Sequence, residues 1–500
     1  MASDQPDRRS PIVGDLRLRA GDPPRLADEA VGVLVELNTS FPGGIERALA
    51  QFLEAFTRLT VRRASNRPVP HEVTPRLYKC TLTRRQIAEL VALDQRTEPH
   101  HEASIFRIWP DYELTPQIDR SAPTVKADVA WRAFHAEGKG VVWAVIDSGV
   151  DRTHPHFSEL ELFRETTSDV HDRPCTGGLH RDFSYLAVND GQPADTDDPL
   201  TDPDGHGTHV AGIIAGRCPE DKVPNVASSN ELVGQTGYVP RPHGRLCGMA
   251  PSCELISLKV MRENAAGNLV TTFAAVIAAL EYVRSELNVN RAALRVHGVN
   301  LSLGCAWDPT HYAAGQSPLC KAVNDLVDSG VVVVVSAGNG GGMGSQTEAR
   351  QSVSVLGSVT EPAHAEACIA VGSTHREAPH TFGVSWTSGK GPTLDGRAKP
   401  DVIAPGEWIA SAATGSVRSG AGFPSRLRNK LLTYAELSGT SMAAPHASGV
   451  IAGFLSARPE FIGRPREVKE LVLGTATDIG RERYAQGAGV IDALRLLSQS

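Results

Sequence analysis

The chain has 500 residues, 41% hydrophobic and 21% charged, which supports a sizeable core and excludes a largely disordered polypeptide. At about 150 residues per domain, its length predicts roughly two to four domains. Fifty basic against 57 acidic residues leave a formal charge of -7, so no global cationic field exists to hold nucleic acid or an anionic membrane.

The opening segment, MASDQPDRRSPIVGDLRLRAGDPP, carries charge and proline where a secretory leader requires an apolar stretch; a cytoplasmic location is therefore expected. No apolar run is long enough to span a membrane. The eight cysteines, Cys80, Cys175, Cys218, Cys247, Cys253, Cys305, Cys320 and Cys368, are scattered and form no CxxC pair. They read as reduced thiols, with a 247/253 or 305/320 bridge as the alternative.

Residues 1–28, rich in Asp, Arg and Pro, read as a poorly ordered tail. In residues 29–115, VGVLVELN has strand character, GGIERALAQFLEAFTRL has helical spacing and RLYKCTL reads as a strand. Thr83 then precedes a second amphipathic helix and ASIFRIW closes as a strand. With TVRRA as the extra strand, the order is βαββαβ, a small α+β domain. After a polar connector, residues 116–500 alternate buried-looking strands (GVVWAVIDSG, CELISLKVM, HGVNLSLG, GVVVVVSAGN, ACIAVGST) with helices (FAAVIAALEYVRSEL, LCKAVNDLVDSG). That alternation predicts an α/β fold, a mostly parallel sheet with helices on both faces and functional groups beyond the carboxyl ends of its strands.

Four segments carry chemistry. Asp147 ends an apolar strand in VIDSG, where its carboxylate can orient an imidazole; an Asx-type turn is the alternative. In DPDGHGTHVAG, glycines bracket His206, a candidate general base at a helix start. The HGTH pair lacks the four-residue spacing of HExxH, and the acids Asp195, Asp197, Asp198, Asp202 and Asp204 do not match a calcium loop, so they read as a solvated acidic loop. In GTSMAAPH, Ser441 lies near a helix N-terminus that favours developing negative charge; Ser438 or Thr440 acting only as a cap is the alternative. Pro445 is taken to sit in the helix's opening turn. In SAGNGG, Asn339 follows a buried strand and can donate to an oxyanion beside the Ser441 N–H. A dinucleotide loop is disfavoured, because Met343 occupies the last glycine position of GxGxxG.

With DSG, HGTHVAG, AGN and GTSMAAPH in that order, residues from about 121 to 497 resemble the subtilisin family of serine peptidases, leaving no room for a further C-terminal domain. The resemblance implies a subtilisin-like fold and a serine endopeptidase in which Ser441 attacks the scissile carbonyl, His206 moves the proton, Asp147 orients the ring and Asn339 binds the oxyanion. In that family, losing such a side-chain donor costs about 10²- to 10³-fold in turnover. It further implies that Ser302, Leu303, Gly304, Ala337, Gly338, Thr360 and Glu361 form the specificity pocket, and that Ala265, Ala266 and Gly267 form an edge pairing with extended substrate. Glu361 is expected to favour a basic or polar residue before the cleaved bond.

Residues 29–115 resemble the propeptide that precedes subtilisins, which implies an intramolecular inhibitor and self-cleavage within Trp109–Leu114. No cofactor is expected, with calcium as the alternative although its usual site is not recognisable: His156 stands where many subtilisins have a calcium-binding Asp, and an aperiodic insertion, GRCPEDKVPNVASSNELVGQTGYVPRPHGRLCG, replaces the usual calcium loop and is expected on the surface. Protein or peptide is the expected substrate. A macrocyclase or transamidase, or a maturation peptidase, using the same acyl-enzyme is the alternative.

Overall fold

The computed structural model describes residues 11–12, 16, 27–28, 30–60, 69–95, 103–110, 121–158, 161–163, 178–187, 198–229, 238–242, 244, 246–264, 269–307, 309–310, 312–344, 352–421 and 433–499. The chain divides into two units, residues 1–115 and 116–500.

In the first unit, β1 (Ala30–Leu37), α1 (Gly44–Thr60), β2 (His71–Thr74), β3 (Leu77–Thr83), α2 (Arg84–Asp94) and β4 (Ile105–Pro110) form a four-stranded sheet of order β2-β3-β1-β4 with two helices. Val33, Val35 and Leu37 are buried at every second position of β1, where they join Phe52 of α1 and Ile87 and Leu90 of α2 in one core. Thr83 starts α2 with a capping box: its hydroxyl accepts from the Gln86 N–H at 3.2 Å, while the Gln86 side chain accepts from the Thr83 N–H at 2.9 Å. The additional strand is His71–Thr74; TVRRA falls mostly outside the described residues. The N-terminal segment is tied to the sheet at two described places. Ile12 bridges in parallel to Ile108, and Leu16 is buried in the same core.

The second unit is built on β5 (Val142–Asp147), β6 (Arg181–Asp182), β7 (Glu254–Lys259), β8 (Gly298–Leu301), β9 (Val332–Ser336), β10 (Ile369–His375) and β11 (Val402–Glu407). They form a seven-stranded sheet of order β11-β10-β9-β8-β5-β7-β6, parallel at every pairing. Alternation along the strands divides the interior into two layers. Trp143, Val145, Val332 and Val334 face a core shared with α3 (His206–Ile214) and α6 (Thr440–Ala457). Ala144, Ile146, Val333 and Val335 face the opposite core, shared with α4 (Phe273–Tyr282) and α5 (Pro318–Asp328). Apolar residues on both strand faces therefore require helices on both sides. Gly298 makes room for the large Trp143 side chain, since a Cβ there would lie 2.3 Å from the indole ring.

The insertion after α3 is not simply an irregular surface loop. Asn225–Ser229 and Tyr238–Pro242 form an antiparallel pair, and Asn225–Ser229 runs parallel to Thr433–Leu437 within a second four-stranded sheet. Val226 and Ala227 are buried there. Apolar periodicity misses this short strand because both faces are covered: Val226 packs in one buried cluster and the adjacent Ala227 in another. Of the eight cysteines, the seven described, Cys80, Cys218, Cys247, Cys253, Cys305, Cys320 and Cys368, are not in disulfides. Among the described residues, no helix is long and apolar enough to cross a membrane.

Candidate active site

Asp147, the last residue of β5, is fully buried at the carboxyl edge of the sheet. Helix α3 starts directly against it: a Cβ on Gly207 would lie 2.2 Å from the Gly149 carbonyl and 3.1 Å from the Asp147 Cβ, so only glycine permits this approach. Gly205, with φ of 100°, turns the chain into the helix and presents His206 as its first residue.

The His206 Nδ1 lies 2.8 Å from Asp147 Oδ1. Since an ionised carboxylate only accepts, Nδ1–H must donate, and in the neutral ring Nε2 then carries the lone pair. The same Oδ1 accepts the Ser148 N–H at 2.8 Å, whereas Oδ2 is buried without a partner. Burial works against the imidazolium, but the charge and hydrogen bond of Asp147, followed by the charges of Asp204 and Asp202, outweigh it and push His206 up to about 9.

Asp202 is not part of a solvated acidic loop: its relative exposure is 5%. Its Oδ1 accepts from Ser148 Oγ at 3.0 Å and Gly205 N–H at 2.9 Å, and its Oδ2 from the Thr208 N–H at 2.9 Å and Thr208 Oγ1 at 2.6 Å. Ser148 Oγ in turn accepts the Gly207 N–H at 2.9 Å. This knot fixes the backbone on both sides of His206 to the residue following Asp147. Burial raises the pKa of Asp202 despite its hydrogen bonds.

Ser441 occupies the second position of α6, where a backbone N–H has no intrahelical acceptor. The helix is capped by Gly439 without a side-chain bond, so neither Ser438 nor Thr440 serves as its side-chain N-cap. Pro445 is the helix's sixth residue, beyond the opening turn. It therefore leaves the Ser441 carbonyl without its i+4 donor. Ser302 fills that vacancy. Its Oγ donates to the Ser441 carbonyl at 2.9 Å, while Ser441 Oγ donates to the Ser302 carbonyl at 3.2 Å. Behind them, the Asn300 amide donates to Ser302 Oγ at 2.9 Å and its oxygen accepts from Ser448 Oγ at 2.9 Å. Sequence reasoning missed this chain, although two signals were present: a proline four residues after Ser441 and polar residues within the otherwise apolar VNLSLG.

Asn339 Oδ1 accepts the Thr440 N–H at 2.9 Å and Thr440 Oγ1 at 3.1 Å. A backbone donor thus fixes the amide's orientation and leaves Nδ2 available as a donor. Asn339, Thr440 and Ser441 line one cleft with Ser302, Leu303, Gly304, Gly338, Thr360 and Glu361. Ala337 does not line it; it is fully buried, and its carbonyl accepts the Thr360 N–H at 3.1 Å. Ala265, Ala266 and Gly267 lie outside the described residues.

The position of His156 does not fit a cation. Its ring is buried between Tyr434 Oη, 3.2 Å from Nδ1, and the Gly212 and Ala215 carbonyls, 3.1 and 3.2 Å from Nε2. Those carbonyls are taken by the imidazole, and burial pushes its pKa down to about 3. Among the described residues, no group of three or more His, Cys, Asp and Glu side chains is placed to hold a metal ion.

A parallel sheet covered on both faces, with an Asp–His pair and a serine at helix starts beyond its strand ends, defines a subtilisin-like serine endopeptidase. The chain belongs to the subtilase family, whose sequence profile matches residues 138–490. It is similar to the serine protease AprX of Bacillus subtilis (strain 168), 29% identical over 385 residues, covering 73% of this chain and 70% of that protein. Subtilisin E of the same strain is 27% identical over 410 residues, covering 81% and 79%. Subtilisin DY of Bacillus licheniformis is 29% identical over 371 residues, covering 74% and 95%.

Proposed function

We propose that this endopeptidase hydrolyses peptide bonds through an acyl-enzyme on Ser441. His206 Nε2 takes the serine proton and returns it to the leaving amine; Asp147 holds the ring and stabilises its cation. Asn339 Nδ2 and the Ser441 N–H bind the tetrahedral oxyanion. The observation that carries this reading is the partly buried 2.8 Å bond between His206 Nδ1 and Asp147 Oδ1, which leaves the other ring nitrogen for proton transfer. The resting Ser441 hydroxyl donates to the Ser302 carbonyl; attack requires it to leave that acceptor for His206 Nε2, in keeping with catalytic hydrogen bonds that tighten only once substrate is bound.

We further propose that residues 29–115 act as an intramolecular inhibitor and that the chain cuts itself within Trp109–Leu114, a window mostly outside the described residues. A compact unit with its own core, ending in β4 at Pro110, supports this reading. Intact mass of wild type and Ser441→Ala, with fluorophosphonate labelling of Ser441, tests both parts. Hydrolysed peptides, a labelled Ser441, a shortened wild type and an uncut variant are expected. An unlabelled, inactive chain would overturn the mechanism, an active full-length chain the zymogen, and cyclised or amine-transferred products the assignment as a hydrolase.

A further inference from the structure

Two polar atoms at the cleft that holds Ser441 are buried without a partner: Thr360 Oγ1 and Glu361 Oε1. Thr360 lies between the two glycine walls, since a Cβ on Gly304 or Gly338 would approach its Oγ1 to 2.6 or 2.4 Å. Glu361 has no exposed surface, and its backbone is bound to the opposite wall by Cys305 N–H to Glu361 carbonyl at 2.9 Å and Glu361 N–H to Cys305 carbonyl at 3.1 Å. Its position is therefore fixed by the wall itself.

Only one carboxylate oxygen is served, Oε2, which accepts the Tyr312 hydroxyl at 3.2 Å. The neighbouring Cys320 thiol, a weak donor at best, lies 3.7 Å from the Pro362 carbonyl. Apart from the Cys305 thiol, Glu361 is the one acid or base among the described residues lining the cleft. No lysine or arginine of that lining balances it. The surroundings respond accordingly: burial, then the Glu361 charge, push the Tyr312 phenol up to about 12 and raise the Cys320 thiol.

A buried carboxylate oxygen without a donor is costly, and a ligand that supplies one recovers that cost. We propose that the cleft selects a lysine or arginine side chain immediately before the cleaved bond, whose cation pairs with the open oxygen of Glu361 beside the Thr360 hydroxyl. The proposal rests on Ser441 forming the acyl-enzyme. An apolar side chain in the same place would leave both polar atoms unpaired, which is how a polar site rejects an isostere lacking the matching group.

The test uses wild-type protein and peptides identical except at the residue before the cleaved bond: arginine, its neutral isostere citrulline, and leucine. Expected is a kcat/KM for arginine at least about tenfold above citrulline, with leucine no better than citrulline. In Glu361→Gln the arginine-to-citrulline ratio should fall toward unity. Should that variant not fold, the wild-type ratio decides by itself. Equal or faster cleavage after leucine, or an arginine-to-citrulline ratio that survives Glu361→Gln, would overturn the selectivity while leaving the acyl-enzyme intact. If no peptide is cut and fluorophosphonate does not label Ser441, the acyl-enzyme reading fails and takes this proposal with it.

Discussion

The Ser302 hydroxyl substitutes for a helical hydrogen bond that Pro445 cannot make, and this gives a prediction with a built-in rescue. Ser302→Ala leaves the partly buried Ser441 carbonyl and one N–H of the buried Asn300 amide without partners. At about 1–3 kcal/mol per orphaned group, the expected loss for the two is about 2–6 kcal/mol. Pro445→Ala restores a backbone N–H four residues beyond Ser441, so in the double variant the carbonyl regains a donor and only Asn300 stays unpaired. About half of the loss should return. Urea unfolding in a Ser441→Ala background, which prevents self-digestion and leaves the 441 carbonyl in place, measures the cycle. Fluorophosphonate labelling rates in the active forms should follow the same order, falling with Ser302→Ala and recovering in the double variant. If the double variant loses the sum of the single effects to within about 0.5 kcal/mol, the two positions do not share the carbonyl and the reasoning fails.

With His206 held up at about 9, kcat/KM should rise with pH well past the ordinary histidine range; Asp147→Asn should drop that limb below 6.5 and lower the rate by about 10⁴-fold, as read from the pH profile. Asp202→Ala removes an acceptor used by four donors around His206, so a thermal scan should show a large destabilisation and labelling of Ser441 should slow. Acid should also destabilise the enzyme unit. Burial pushes His154 down to about 4 and His156 and His209 down to about 3, so each stays neutral when folded while an unfolded histidine takes up a proton near 6.5. The unfolded state then binds more protons, and stability falls as pH drops from about 6.5 toward 4, by about 1.4 kcal/mol per pH unit for each histidine. Urea midpoints in Ser441→Ala that stay flat between about pH 7.5 and pH 5 would contradict this.

What the sequence made legible was local chemistry at the ends of regular elements. Asp147 ends an apolar run, His206 is bracketed by glycines that the close packing of α3 requires, and Thr83 announces its helix through Gln86. What stayed illegible depends on partners distant in sequence. Asp202 sits among acids that look solvated, and only Ser148, across from Thr208, reveals it as a bracing group. Asn225–Ser229 lacks periodicity because Val226 and Ala227 are buried on opposite faces, and the strand that pairs with it, Thr433–Leu437, is remote in sequence. Pro445 was misplaced by one turn because α6 begins at Thr440, and that turn separates a harmless proline from one that makes Ser302 necessary. Ala337 lies next to the cleft in sequence yet contributes only its carbonyl.

The paired glycines beside Thr360 also limit how such an enzyme can be retuned. Any residue larger than glycine at 304 or 338 would run into the Thr360 side chain, so substitutions there would seal the cavity rather than reshape it. Ser302 is committed to holding the nucleophile's backbone. A directed-evolution library seeking new cleavage preferences would therefore gain most from varying 360 and 361 together, leaving the three wall positions alone.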